Sequence, residues 1–141
     1  MKKVLGCLSM AALAVVMAAP VSAQTLSVTA SVPFDFVVGG RTMPAGNYVV
    51  NTITTFGVLE VQDASQAAAP VLTRADSADG PGNGDGAHLT FRRYGGDYFL
   101  VNVWAGPGIG GRSIPMSSSE KERAKSASLG KPEVVTILAR R

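Results

Sequence analysis

One hundred and forty-one residues is one domain's worth of chain, since domains centre on roughly 100 to 150 residues, and that length excludes a multidomain enzyme. Thirteen Lys and Arg against ten Asp and Glu give +3, but Lys2 and Lys3 sit in a leader-like start. Without those two the balance is eleven against ten, a net +1 that gives no basic surface for nucleic acid.

Residues 1–23 read as a cleaved secretory signal peptide. Met1, Lys2 and Lys3 form a short basic start, Val4 to Ala19 carry no charge, and Val21-Ser22-Ala23 is a small-x-small cleavage site followed by Gln24. The alternative is a membrane anchor, which needs about 20 apolar residues. Ser9, Pro20 and Ser22 dilute the run against it. Cys7, the single cysteine, has no full apolar stretch before it, so Val4-Leu5-Gly6-Cys7 is a poor lipoprotein box. Cleavage removes it and leaves residues 24–141 as one β-rich domain with no disulfide, no thiolate metal site and no cysteine nucleophile. The expected address is periplasmic or extracellular, with no stable membrane span after cleavage.

From Gln24 onward the pattern is period two in β-branched and aromatic residues, broken by Gly, Pro or Asn every ~8 to 12 residues. Leu26, Val28 and Ala30 share one face, and Phe34, Phe36 and Val38 the next. Gly39-Gly40 and Met43-Pro44-Ala45-Gly46 are turns. Strands follow at Tyr48 to Thr55, Val58 to Gln62 and, more weakly, Val71 to Arg74, after a small-residue connector at Ala64 to Ala69. Ala87 to Tyr94 and Asp97 to Trp104 form a hairpin around Gly95-Gly96, in which Arg93 faces Tyr98, Phe91 faces Leu100, Leu89 faces Asn102, Arg92 faces Phe99 and Thr90 faces Val101. Ser119 and Glu122 have capping-box spacing for a short charged helix that caps the sheet, ended by Gly130 and Pro132. Val134 to Leu138 is a last strand and a candidate free edge.

Together these elements predict an all-β fold, an antiparallel sandwich or partly open barrel of about seven to nine strands with one short C-terminal helix. An outer-membrane barrel is the alternative, disfavoured because its strands need about 9 to 11 residues with an unbroken lipid-facing apolar set.

Several blocks resemble a family of short exported bacterial proteins of unknown function. They are Pro33-Phe34-Asp35-Phe36-Val37-Val38-Gly39 running into Met43-Pro44-Ala45-Gly46-Asn47-Tyr48, then Arg93-Tyr94-Gly95-Gly96-Asp97-Tyr98-Phe99-Leu100, Val103-Trp104, Gly111-Arg112, Pro115 and the run from Glu120 to Arg123. The resemblance implies export and β structure. It implies no catalytic residue, ligand or cofactor.

Gly106 to Gly111 satisfies G-x-G-x-x-G after a strand, yet Pro107 and Pro115 leave no room for the helix that a dinucleotide site requires. Asp76, Asp79, Asn83 and Asp85 gather hard oxygen donors among glycines, the chemistry of a calcium loop, without EF-hand spacing. A flexible acidic loop is the plainer reading; no cofactor is expected, calcium being the alternative. His88 is the only histidine, so a multi-histidine metal centre is excluded, and no G-x-S-x-G elbow accompanies it. Arg92, Arg93, Tyr94, Tyr98 and Trp104 are the densest cation and aromatic group, suited to binding a sugar, anion or peptide, or to packing across a hairpin. Arg92, Tyr94 and His88 are the candidate binding residues.

The sequence thus points to an exported non-enzymatic binding or structural module that presents loops 76–86 and 105–112 to an envelope protein or glycan. Two alternatives stand beside it. One is a small envelope hydrolase using His88 with an Asp, and the other is self-association through exposed strand edges.

Overall fold

The computed structural model describes residues 25–54, 57–79, 86–127 and 130–141. The leader at 1–23, and Asn83 and Asp85 of the acidic loop, lie outside them. Eleven strands and one helix follow in order: β1 (Ser27–Val32), β2 (Phe36–Val38), β3 (Arg41–Met43), β4 (Gly46–Thr54), β5 (Val58–Asp63), β6 (Val71–Arg74), β7 (Asp76–Ala78), β8 (His88–Tyr94), β9 (Asp97–Trp104), β10 (Gly111–Ser113), α1 (Ser118–Ser126) and β11 (Glu133–Arg140). The all-β class with one short helix is what the alternation of the sequence anticipates.

Nine strands run in the order β3-β2-β9-β8-β11-β1-β4-β5-β6, and β10 joins β9 to β7. The sheet is nearly closed into a barrel. Its seam is crossed at Ala75, a buried residue where β6, paired with β5, turns into β7, paired with β10. Ala75 N–H donates to the Gly57 carbonyl at 2.6 Å, and a Cβ on Gly57 (φ +78°) would stand 2.3 Å from the Ala75 carbonyl oxygen. The pairing is mixed: β2 lies parallel to β9 at Val37 and Phe99, because the β2–β3 ribbon folds back across the seam. There Gly39, at φ +57°, leaves room for Val71.

Alternation decides what fills the barrel. In β1 the even positions Val28, Ala30 and Val32 are buried and the odd ones exposed. The interior packs Phe36 edge-on against Tyr48 and Phe91 at 5.0 and 5.4 Å between centroids. In β1 and around Phe36 apolar side chains therefore fill the interior, where a porin-type outer-membrane barrel holds a polar lumen. Among the described residues no helix is long and apolar enough to cross a membrane.

Two sequence expectations shift by a residue or two. The β8–β9 hairpin turns at Gly95-Gly96 with Tyr94 opposite Asp97, but the register slips beyond Phe91. Thr90 faces Asn102 instead of Val101, and Leu89 faces Val103 instead of Asn102. Val101 is the extra residue of a bulge, which no single-residue pattern announces. The helix cap is Ser117 instead of Ser119: its hydroxyl accepts from Glu120 N–H at 3.2 Å. The β11 run is also no sheet edge, since it lies between β8 and β1.

Candidate functional site

The outer face of β8 and β9 has two ends. At the hairpin end, Tyr94, Phe99 and Val101 are buried but stand apart from the barrel core. The bulge leaves Val101 on that side, Tyr94 lies edge-on to Phe99 at 5.7 Å, and Tyr94 reaches α1 through Glu120. Glu120 is 3% exposed and takes two bonds on one oxygen: Arg92 Nη1 donates at 2.5 Å and the Tyr94 hydroxyl at 3.2 Å. Arg123 adds a 2.5 Å bond to Asp97.

These contacts move titrations. Burial pushes the Tyr94 phenol up, with the Glu120 charge adding to it and Arg92 opposing. Burial works to lower the Arg92 value, but the Glu120 charge and hydrogen bond outweigh it and the net direction is up. Arg92 and Tyr94 thus hold the helix to the sheet, and the surface role expected of them falls away. Tyr94 has no surface to offer, and its hydroxyl is already engaged.

The five-residue cation and aromatic group is in fact divided three ways. Arg93, one residue on from Arg92 and so on the other face, lies 5.4 Å from the Tyr98 ring, which stacks on Phe34 at 3.8 Å. Trp104 stands at the far end of β9.

Among the described residues nothing covers the row of strands at that far end. Register places His88, Trp104, Gly111 and Ala78 side by side across β8, β9, β10 and β7, and Thr90, Asn102, Ser113 and Asp76 in the neighbouring row. Two small residues beside a large ring leave a trough. A cleft of about 280 Å³ lies here, lined by the whole first row and by Thr90 and Asn102 of the second, together with Asp79, Val103 and Arg112. Gly111 fixes the ring: a Cβ there would meet Trp104 Cε3 at 2.8 Å and Cζ3 at 3.4 Å, so the indole lies across the glycine. Two buried polar atoms in the lining, Asn102 Oδ1 and Arg112 Nε, have no hydrogen-bond partner among the described residues. Buried polar groups are paired in the great majority of cases, so an unpaired pair at one cleft marks a site that a ligand completes.

Of the sequence candidates, His88 and Asp79 line this cleft. A ring nitrogen of His88, Nδ1, is 3.0 Å from the Gly86 carbonyl. Asp97 sits at the other end of the hairpin from His88, bonded to Arg123. Asp76 is an exposed β7 residue 3.6 Å from Arg74. Among the described residues no three His, Cys, Asp or Glu converge as metal ligands, and the other half of the calcium set, Asn83 and Asp85, lies outside them. Gly106, Gly108 and Gly110 all take positive φ in the loop that joins antiparallel β9 to β10, so the G-x-G-x-x-G segment is a hairpin connection. Asn102 and Arg112 were not singled out by sequence. The usable signal was Thr90, Asn102 and Ser113, small polar residues on strands whose neighbours are apolar, but aligning them required the bulge.

Compared with family models, curated proteins and solved structures, the chain matches none of them. The functional reading therefore rests on the chemistry of this cleft.

Proposed function

We propose that the chain is an exported, non-enzymatic binding module whose site is the cleft on the outer face between β8 and β7. The observation that carries it is the unpaired Asn102 Oδ1 beside the Trp104 ring. Loops 76–86 and 105–112, expected from sequence to present the binding surface, supply Asp79 and frame β10 at this same cleft. Export is supported by the leader pattern of residues 1–23 and by the family resemblance.

Two measurements test it. Expression with the native N-terminus should deliver a periplasmic species beginning at Gln24; recovery of unprocessed cytosolic chain overturns export. A small-molecule extract of the periplasm should raise the melting temperature of the wild type, since a ligand that binds only the folded state stabilises it, and raise that of Asn102→Ala less. No shift with any fraction overturns the module. His88→Ala separates the hydrolase alternative, because a module keeps its ligand without His88 while a hydrolase loses turnover.

One observation favours self-association as a second reading. On β11, Val134 and Leu138 are 66% and 81% exposed, and the strand pairs with β1 only at Thr29–Arg140 and Ala30–Ala139. Where that pairing ends, a gap of about 600 Å³ opens, lined by Ser31, Asn47, Leu138 and the paired residues themselves. Strand backbone left open in this way recruits another strand. Light scattering should then show dimers that Leu138→Lys abolishes; a monomer at high concentration removes this reading.

A further inference from the structure

We infer that the cleft takes a neutral, hydroxyl-rich ring, one pyranose unit of a glycan, stacked on Trp104. The inference rests on the binding-module reading above and names the chemical class of its ligand. A pyranose presents a flat C–H face and a rim of hydroxyls, and each hydroxyl both donates and accepts. The cleft offers the complement of both. Its apolar plane is the indole, laid down across Gly111. Its polar margin holds the Asn102 amide, the Thr90 hydroxyl, the His88 imidazole and the Asp79 carboxylate. At about 280 Å³ it falls at the small end of ligand sites, which run from roughly 300 to 1,000 Å³. That suits a single ring whose neighbours continue over the open sheet face.

Charge and hydrogen-bond polarity exclude the other classes. The lining carries one carboxylate, Asp79, and one guanidinium, Arg112, which cancel. Arg112 Nη1 is moreover already spent on Ser77 at 2.9 Å. An anion would take the unpaired Arg112 Nε donor, but an ionised carboxylate or phosphodiester has no proton to give Asn102 Oδ1, an unpaired acceptor, whereas a hydroxyl serves both. A purely apolar ligand would leave that oxygen, which the protein already shields from water, without a partner, at a standing cost of about 1–3 kcal/mol. A sugar hydroxyl donates to Asn102 Oδ1 and accepts from other polar groups, while its ring covers the indole.

Trp104 is the only tryptophan in the chain, so intrinsic fluorescence reports on this site alone. The experiment titrates the purified protein with chitotetraose, cellotetraose and maltotetraose, and with tetragalacturonate as the anionic counterpart. At least one neutral oligosaccharide should give a saturable change with millimolar or tighter affinity. Asn102→Ala should weaken it about tenfold, the loss of roughly one well-made hydrogen bond, and Thr90→Val should weaken it less, both with unaltered far-ultraviolet circular dichroism. Unchanged affinity in both folded variants overturns the assignment of the polar margin. A response to tetragalacturonate alone, or silence toward the neutral sugars while periplasmic extract still raises the melting temperature, overturns the glycan class and leaves the module standing. Silence in both experiments overturns both.

Discussion

The two ends of the β8–β9 outer face are built from the same two strands and finished in opposite ways. At the hairpin end α1 covers the sheet, and the charge it buries is met: Glu120 accepts from Arg92 and Tyr94. At the other end, among the described residues, no helix lies over the sheet, the row ends in Gly111 and Ala78, and Asn102 Oδ1 is left without a partner. A buried acid with two donors is a fastening, whereas a buried acceptor with none carries a chemical preference for a donor. Substitutions at the first end should therefore act on stability, and substitutions at the second on binding.

The largest effect should come from Tyr94→Ala. It removes a ring buried with Phe99 and Val101 and one of the two donors to Glu120, for about 3–5 kcal/mol by analogy with other aromatic truncations. Urea denaturation with intact ligand response in the surviving folded fraction would confirm the division; a loss below 1 kcal/mol would break it. Glu120→Ala comes next. It strands the Arg92 guanidinium and the Tyr94 hydroxyl, which costs about 1–3 kcal/mol for buried groups, with Arg92 at the lower end because its side chain is 31% exposed.

Alkali gives an independent check on the closed end. Tyr48, whose hydroxyl donates to the Pro44 carbonyl, and Tyr94 both have phenols raised above the ordinary 10.0, first by burial and then by nearby carboxylates. Each holds its proton more tightly folded than unfolded. Their contribution is therefore complete below the ordinary value and is lost as the pH rises above it. Chemical denaturation as a function of pH should show stability falling from about pH 10 upward, and Tyr94→Phe should make that fall shallower. By contrast Arg123→Ala breaks a pair whose side chains are 40% and 53% exposed, and such pairs contribute about 0.2–1 kcal/mol.

Which of these features the sequence disclosed follows from the range of the interactions involved. The alternation of Val28, Ala30 and Val32 and the Gly95-Gly96 turn are local, and they were legible. The pairing of Arg92 with Glu120 spans 28 positions, and the helix register that delivers it depends on Ser117 capping in place of Ser119. Both serines satisfy the local rule, and only the buried partner chooses between them. The cleft was hidden for a related reason: Asn102 joins Thr90 and Ser113 in one row only after Val101 bulges out. His88 was visible because it is unique, and Asp79 because it stands in an acidic run. Neither signal revealed that Trp104 and Gly111 complete their surroundings.

The smallest expected change in stability is the one that bears hardest on function. Asn102→Ala deletes an oxygen that has no partner in the unliganded protein, so folding loses no hydrogen bond and is relieved of a desolvated acceptor. Stability should move by no more than about 0.5 kcal/mol, as for substitutions that remove no packed or paired group, and toward a gain because removing an unsatisfied buried group is favourable. A denaturation curve superimposable on wild type, paired with a weakened fluorescence titration, is the signature of an atom kept for a ligand. If Asn102→Ala instead costs as much as Glu120→Ala, Asn102 belongs to the scaffold and the open end is only a less finished version of the closed one.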